Sequence, residues 1–245
     1  MLKKIILIVS AVLLLAYLVF SVVYLNKRTE NRICNEFHVE IMDTLDRHYI
    51  TDNEITLILK NAKLSPVGKD LSEISTTAIK DKLEENKLIK KVECFKTIDG
   101  AVKVKVYQRI PILRIFSNKG SYYVDNEGEI MPVPKSFAIY VPVASGNIEN
   151  EYAKTNLYEF ALFLQKDKFW NSQIEQIHVA SNGDIELTPR VGNHQIVLGK
   201  IEDYKENLEK LKLFYDKGLN VVGWNRYSTI NLKYKDQVVC TKRKT

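Results

Sequence analysis

Residues 5–25 read IILIVSAVLLLAYLVFSVVYL, 21 residues without a charge. Only Ser10, Ser21, Tyr17 and Tyr24 interrupt the run. At about 1.5 Å per residue, a helix of that length spans roughly 30 Å, the hydrocarbon thickness of a bilayer. A core helix of a water-soluble domain would carry a polar face, and this run has none. A cleaved secretion signal has about 7–15 apolar residues and then a small-residue cleavage site. Here the run is longer, and Tyr24-Leu25-Asn26-Lys27-Arg28 offers no such site. Residues 5–25 are therefore read as a retained single-pass transmembrane helix, with residues 1–4 as a short end and 26–35 as a linker. Lysine and arginine favour the cytoplasmic side. Lys3 and Lys4 on one flank against Lys27, Arg28 and Arg32 on the other leave the direction open.

The net charge of +6 would suit a nucleic-acid binder, but its distribution does not. Residues 33–239 hold 28 basic and 29 acidic side chains, so the excess lies at the two ends of the chain. A nucleic-acid surface would show a basic face or stripe. Cys34, Cys94 and Cys240 form neither a C-x-x-C pair nor a disulfide framework. Cys94, in a strand-like run, is expected to be a small buried apolar residue.

Beyond the linker, residues 37–41 alternate as a strand does. Thr51-Asp52-Asn53-Glu54 has the capping-box form and opens a helix with Ile55, Ile58 and Leu59 on one face. Residues 64–68 break it, and a second helix over 76–86 places Ile79 above Leu83. Strands over 89–95 and 102–106 flank an Asp99-Gly100 turn. This β-α-α-β-β order predicts a small sheet with both helices on one face.

From residue 108 strands dominate. They are expected at 111–116, in a hairpin over 122–130 turning at Gly128, and at 139–143. A helix is expected over 155–166. The strands 174–179 and 185–187 flank Ser181-Asn182-Gly183-Asp184, and 194–198 follows as another strand. The last helix, over 202–217, places Tyr204, Leu208, Leu211 and Tyr215 on one stripe, with Gly218 as its stop. Residues 228–233 and 234–241 can pair through a turn near Lys235-Asp236. The fold class is α+β: an amino-terminal transmembrane helix, a β-α-α-β-β domain over 36–107, and a mainly antiparallel β domain over 108–245 with two or more flanking helices.

No nucleophile elbow, S-x-x-K, H-E-x-x-H, P-loop or dinucleotide fingerprint occurs. His38, His48, His178 and His194 are scattered singles. The reading is of a protein that is not an enzyme, with no catalytic, cofactor or metal residues and no small-molecule substrate.

Several short motifs, in order and spacing, resemble those of the FtsQ/DivIB bacterial cell-division proteins over nearly the whole chain. Residues 51–107 look like the family's POTRA domain. Gln108-Arg109-Ile110-Pro111 resembles its [E/Q]-R-x-P junction, and Tyr122-Tyr123-Val124-Asp125-Asn126-Glu127-Gly128 its next hairpin. Val141-Pro142-Val143-Ala144-Ser145-Gly146, Val197-Leu198-Gly199 and Ile230-Asn231-Leu232-Lys233-Tyr234 resemble three later elements. Asn231 stands where the family usually has Asp. Residues 235–240 lack the Gly and Trp that some members use for partner contact.

The resemblance implies a non-catalytic bitopic divisome scaffold in the bacterial inner membrane at the septum. Its amino terminus would be cytoplasmic and its bulk periplasmic or extracytoplasmic. It would link early and late division proteins and regulate septal peptidoglycan synthesis by binding FtsB- and FtsL-type partners. The expected partner-binding edge is Ile230, Leu232, Tyr234, Gln237, Val238 and Val239, the bland alternative being that this stretch only completes the sheet. Two other functions remain open: a POTRA-containing secretion or envelope-assembly component, and a membrane-anchored envelope enzyme.

Overall fold

The computed structural model describes residues 2–30, 32–42, 49–118, 120–134 and 139–244, and within 2–30 the side chains of 9–23. Helix α1 covers Leu2–Glu30. Nearly all of its described side chains are exposed. Among the described residues, no helix is long and apolar enough to cross a membrane. The helix continues to Glu30, so the first half of the expected linker is helical.

The second half of that linker is bonded to the domain that follows. Leu71 N–H donates to the Arg32 carbonyl and Cys34 N–H to that of Lys69, both at 2.8 Å, while Asn35 N–H reaches Gly100. Strand β1 (Glu36–Met42) then runs parallel to β3 (Ala101–Gln108), which pairs antiparallel with β2 (Ile89–Lys96), in the order β1-β3-β2. Helices α2 (Asp52–Asn61) and α3 (Thr76–Glu84) bury Ile55, Leu59, Ile79 and Leu83 with Val92, Val102, Val104 and Val106 of the sheet. The capping box forms as expected: Thr51 N–H donates to Glu54 Oε2 at 2.9 Å, and Glu54 N–H to Thr51 Oγ1 at 3.3 Å. The buried cysteine here is Cys34, at 0% exposure. Cys94 is half-buried, contrary to expectation, and burial pushes its thiol up to about 11. All three cysteines are free. His48 lies outside the described residues.

By contact density the chain divides into residues 1–108 and 109–245. The second unit holds a nine-stranded mixed sheet ordered β12-β11-β10-β9-β8-β7-β4-β5-β6. Its strands are β4 (Pro111–Ser117), β5 (Gly120–Asp125), β6 (Ile130–Met131), β7 (Val143–Gly146), β8 (Ile174–Val179) and β9 (Ile185–Pro189). β10 (Gln195–Gly199), β11 (Tyr227–Asn231) and β12 (Val239–Lys242) complete it. Five neighbouring pairs are antiparallel; β4–β7, β7–β8 and β10–β11 are parallel. Helices α4 (Asn150–Lys154), α5 (Asn156–Lys166), α6 (Lys168–Gln173) and α7 (Tyr204–Phe214) supply Ala153, Leu157, Phe160, Trp170, Leu208 and Leu211 to its core.

Two expectations are corrected here and one is extended. The strand expected at 139–143 lies at 143–146 instead. Pro142 has no N–H for a ladder, though its carbonyl accepts from Arg114 N–H at 2.9 Å. The helix expected over 155–166 forms at Asn156–Lys166 and is flanked by two shorter ones, with Asp167 Oδ1 capping α6 through the Phe169 and Trp170 amides. Finally, Gly218 does not stop the last helix. It lies within a wide turn, Tyr215–Leu219, where a Cβ would come 2.8 Å from the Phe214 ring. The helix α8 (Asn220–Val222) follows, and the stop comes at Gly223, where φ is +93°.

Candidate partner interface

The carboxyl-terminal hairpin is built from both ends. β11 lies inside the sheet, parallel to β10 on one side and antiparallel to β12 on the other. Leu232 N–H extends the β10 pairing by donating to the Val197 carbonyl at 2.9 Å. Asn231 Oδ1 then accepts from Lys233 N–H at 3.0 Å, which ends the strand. At this position an Asn supplies the same acceptor oxygen that an Asp would. The turn passes through Asp236 at φ +57°, a conformation Asp tolerates.

Side chains from outside the hairpin hold it in place. From α7, Lys210 Nζ donates to the carbonyls of Leu232 (3.0 Å) and Tyr234 (2.9 Å). Lys233 Nζ reaches Asp184 at 2.6 Å, and Lys200 reaches the same carboxylate at 3.1 Å. The hydrogen bond from Lys233, and after it that from Lys200, holds the Asp184 carboxyl below its usual range against the opposing effect of burial. Asp184 is only 5% exposed, while its two lysine partners reach it from the half-exposed surface.

Beyond β12 no further strand is paired among the described residues. Arg243 N–H donates to the Arg226 carbonyl at 3.1 Å, which sets the alternation along β12. Amides two residues apart point the same way, so those of Thr241 and Val239 face β11 while those of Cys240 and Lys242 face outward. Beside this edge lies a groove of about 710 Å³ between α7 and the hairpin turn, in which the apolar Leu213, Phe214 and Val238 share the lining with charged residues of α7 and the turn, Lys210 and Asp236 among them.

The six expected interface residues separate into two groups. Tyr234 (53%) and Val239 (45%) are exposed, Gln237 is exposed, and Val238 is half-buried on the groove wall. Ile230 and Leu232 are fully buried in the core and are not edge residues. β12 covers the open side of β11, and the alternation of a strand turns Ile230 inward. Sequence reasoning missed Leu213, Phe214 and Lys210. Leu213, an apolar residue off the stripe 204/208/211/215, was the available signal.

Little else in the described residues points to chemistry. No three His, Cys, Asp or Glu side chains converge as a metal set among them. Ser145 Oγ and His178 Nδ1 stand 3.2 Å apart on neighbouring strands, on an exposed surface.

The family model for FtsQ/DivIB, C-terminal related, matches residues 110–241, and a POTRA-like domain model matches residues 32–107. No curated protein matches the chain. Among solved structures, the chain is similar to the major extracytoplasmic domain of the trans isomer of the bacterial cell division protein DivIB from Geobacillus stearothermophilus. That likeness has 12% identity and a TM-score of 0.32, covering 42% of this chain and 87% of that one. With a family model spanning more than half of its length, the chain belongs to the FtsQ/DivIB family.

Proposed function

We propose that this protein is a membrane-anchored, non-catalytic scaffold of the bacterial division machinery that takes up a strand of an FtsB- or FtsL-type partner along β12. The observation that carries the reading is the open β12 edge beside a groove with an apolar patch, within the region matched as FtsQ/DivIB. Outward N–H and C=O groups supply sequence-tolerant pairing, and the groove adds a pocket for apolar side chains. Residues 5–25 serve as the anchor, a reading supported by their uncharged length. The amino terminus is then cytoplasmic and both domains lie outside at the septum, where the POTRA-like domain supports localisation. Tethering at one membrane surface raises the effective concentration of these domains for other anchored partners. In this way the scaffold links early and late division proteins and regulates septal peptidoglycan synthesis.

The test is co-purification of the full chain with the FtsB- and FtsL-type proteins of the same cell, comparing wild type with Cys240→Pro. Proline at 240 deletes an outward donor while leaving the β11–β12 ladder its inward ones. Reduced capture with unchanged thermal unfolding is expected; full capture overturns strand pairing. Depletion should give filaments without septa, whereas normal division with defective secretion would favour an envelope-assembly role.

A further inference from the structure

We infer that the β2–β3 turn of the POTRA-like unit, with Ile98 at its tip, rests in the lipid headgroup layer beside the emerging chain. The inference depends on α1 being the membrane anchor. Ile98 is 88% exposed, the highest value among the described large apolar side chains, and it occupies a tight turn where a polar residue is usual. The turn is pinned to the chain that leaves α1: Arg32 Nη1 donates to the Ile98 carbonyl at 3.0 Å, and Asn35 N–H to that of Gly100. The next residue after Arg32, Ile33, is itself 60% exposed, and Val67, beside Gly68 whose N–H donates to Cys34, is 52% exposed.

Sheet register supplies the direction. β1 is parallel to β3 with Glu36 opposite Ala101, so the start of β1, the start of β3 and the end of β2 share one end of the sheet. The opposite end carries Met42 and Gln108, where the chain passes on to the second unit. The seven residues of β1 separate the two ends by about 20 Å. The apolar end of this unit is therefore the end fed by α1.

Length supplies the depth. From Leu25, the last residue of the uncharged run, α1 continues five residues to Glu30, a rise of about 7.5 Å. That equals roughly one headgroup layer, since the two layers together add about 10–15 Å to the hydrocarbon core. Arg32, two residues past Glu30, and the turn bonded to it therefore lie within about 7 Å of the outer face of that layer. Around the turn Lys96 stands near Asp70 and Lys103 near Asp99, so the contact with the layer is apolar rather than electrostatic.

The test uses the full chain in phosphatidylcholine–phosphatidylglycerol nanodiscs, with Cys94→Ser and Cys240→Ser to leave only the buried Cys34. A polarity-sensitive dye is placed in turn on Leu15→Cys, Ile98→Cys and Met42→Cys, and quenching by spin-labelled lipids is read. The expected result is deep quenching at 15, headgroup-depth quenching with a blue shift at 98, and neither at 42. Quenching at 15 with position 98 behaving like 42 overturns this inference and leaves the anchor intact. No quenching at 15 overturns the anchor, and the inference with it.

Discussion

Arg109 Nη1 donates to Asp125 Oδ2 at 2.6 Å, and Asp125 is completely buried. The other carboxylate oxygen accepts from the amides of Glu127 (2.9 Å) and Glu129 (2.8 Å). Asn126 N–H closes the same corner on the Ile110 carbonyl at 2.8 Å. Two motifs that are separate in sequence, Gln108-Arg109-Ile110-Pro111 and the hairpin ending at Gly128, are thus one clamp at the start of the β domain. Removing the cation leaves a buried carboxylate without its charge partner. Arg109→Met should cost about 3 kcal/mol, the low end for a broken buried pair because the guanidinium is 22% exposed. Urea unfolding followed by the fluorescence of Trp170 and Trp224 measures it, and a loss under half that size would show that the amides alone hold Asp125.

Gly146 pairs with Val179 at φ +106°, and a Cβ there would lie 2.1 Å from the Val179 carbonyl oxygen. Since that neighbour is backbone in the middle of the sheet, it cannot rotate away. Gly146→Ala should destabilise the domain by about 2–3 kcal/mol or prevent folding, through strain rather than lost contacts. Thermal unfolding of the variant decides this.

His194 is 4% exposed and sits 2.8 Å from the Tyr215 hydroxyl, beside Trp224. Burial, with a smaller effect from Arg243, lowers its pKa below the usual 6.5. A depressed folded value means that below about pH 6.5 the unfolded chain binds the proton first. Stability is therefore full above that pH and falls as the solution is acidified toward the folded value. Chemical denaturation at pH 7.5 and 5.5 should show this loss in wild type and a smaller one in His194→Gln. Equal losses would assign the pH dependence elsewhere.

Tyr234 and Val239 are exposed, whereas Ile230 and Leu232 are core. Tyr234→Ala and Val239→Ala should leave the melting temperature nearly unchanged and weaken capture of the partner. Ile230→Ala should cost about 2–5 kcal/mol and weaken capture only in proportion to unfolding. Measuring unfolding and co-purification on the same preparations separates the two classes.

Acidification also reaches the hairpin anchor. The Asp184 carboxyl is held below its usual range by Lys233 and then by Lys200, so its contribution is complete above about pH 4 and is lost as pH falls through the lowered value. Asp184→Asn should remove that acid limb while sparing the limb that depends on His194, which a pH series of unfolding midpoints would resolve.

The features legible in the amino-acid order are those written in local pattern. Periods of two and near 3.6 placed β1, α2, α3, β2 and β3, because each turns one face toward the interior. The capping box at Thr51 and the turn at Asp99-Gly100 are likewise local chemistry. The order of short motifs was enough to point to the family. Which strand forms the edge depends on pairing across the whole sheet. Ile230 and Val239 look alike in sequence, and whether an apolar strand residue is core or rim depends on what pairs outside it. The same holds for Gly218, a helix stop by composition but a packing site once Phe214 lies over it. It holds also for Arg109 and Asp125, whose charges are 16 residues apart and meet only when β4 and β5 close on each other. Local pattern sets the state of each segment. Long-range pairing sets what each segment faces, and a partner surface is a matter of facing.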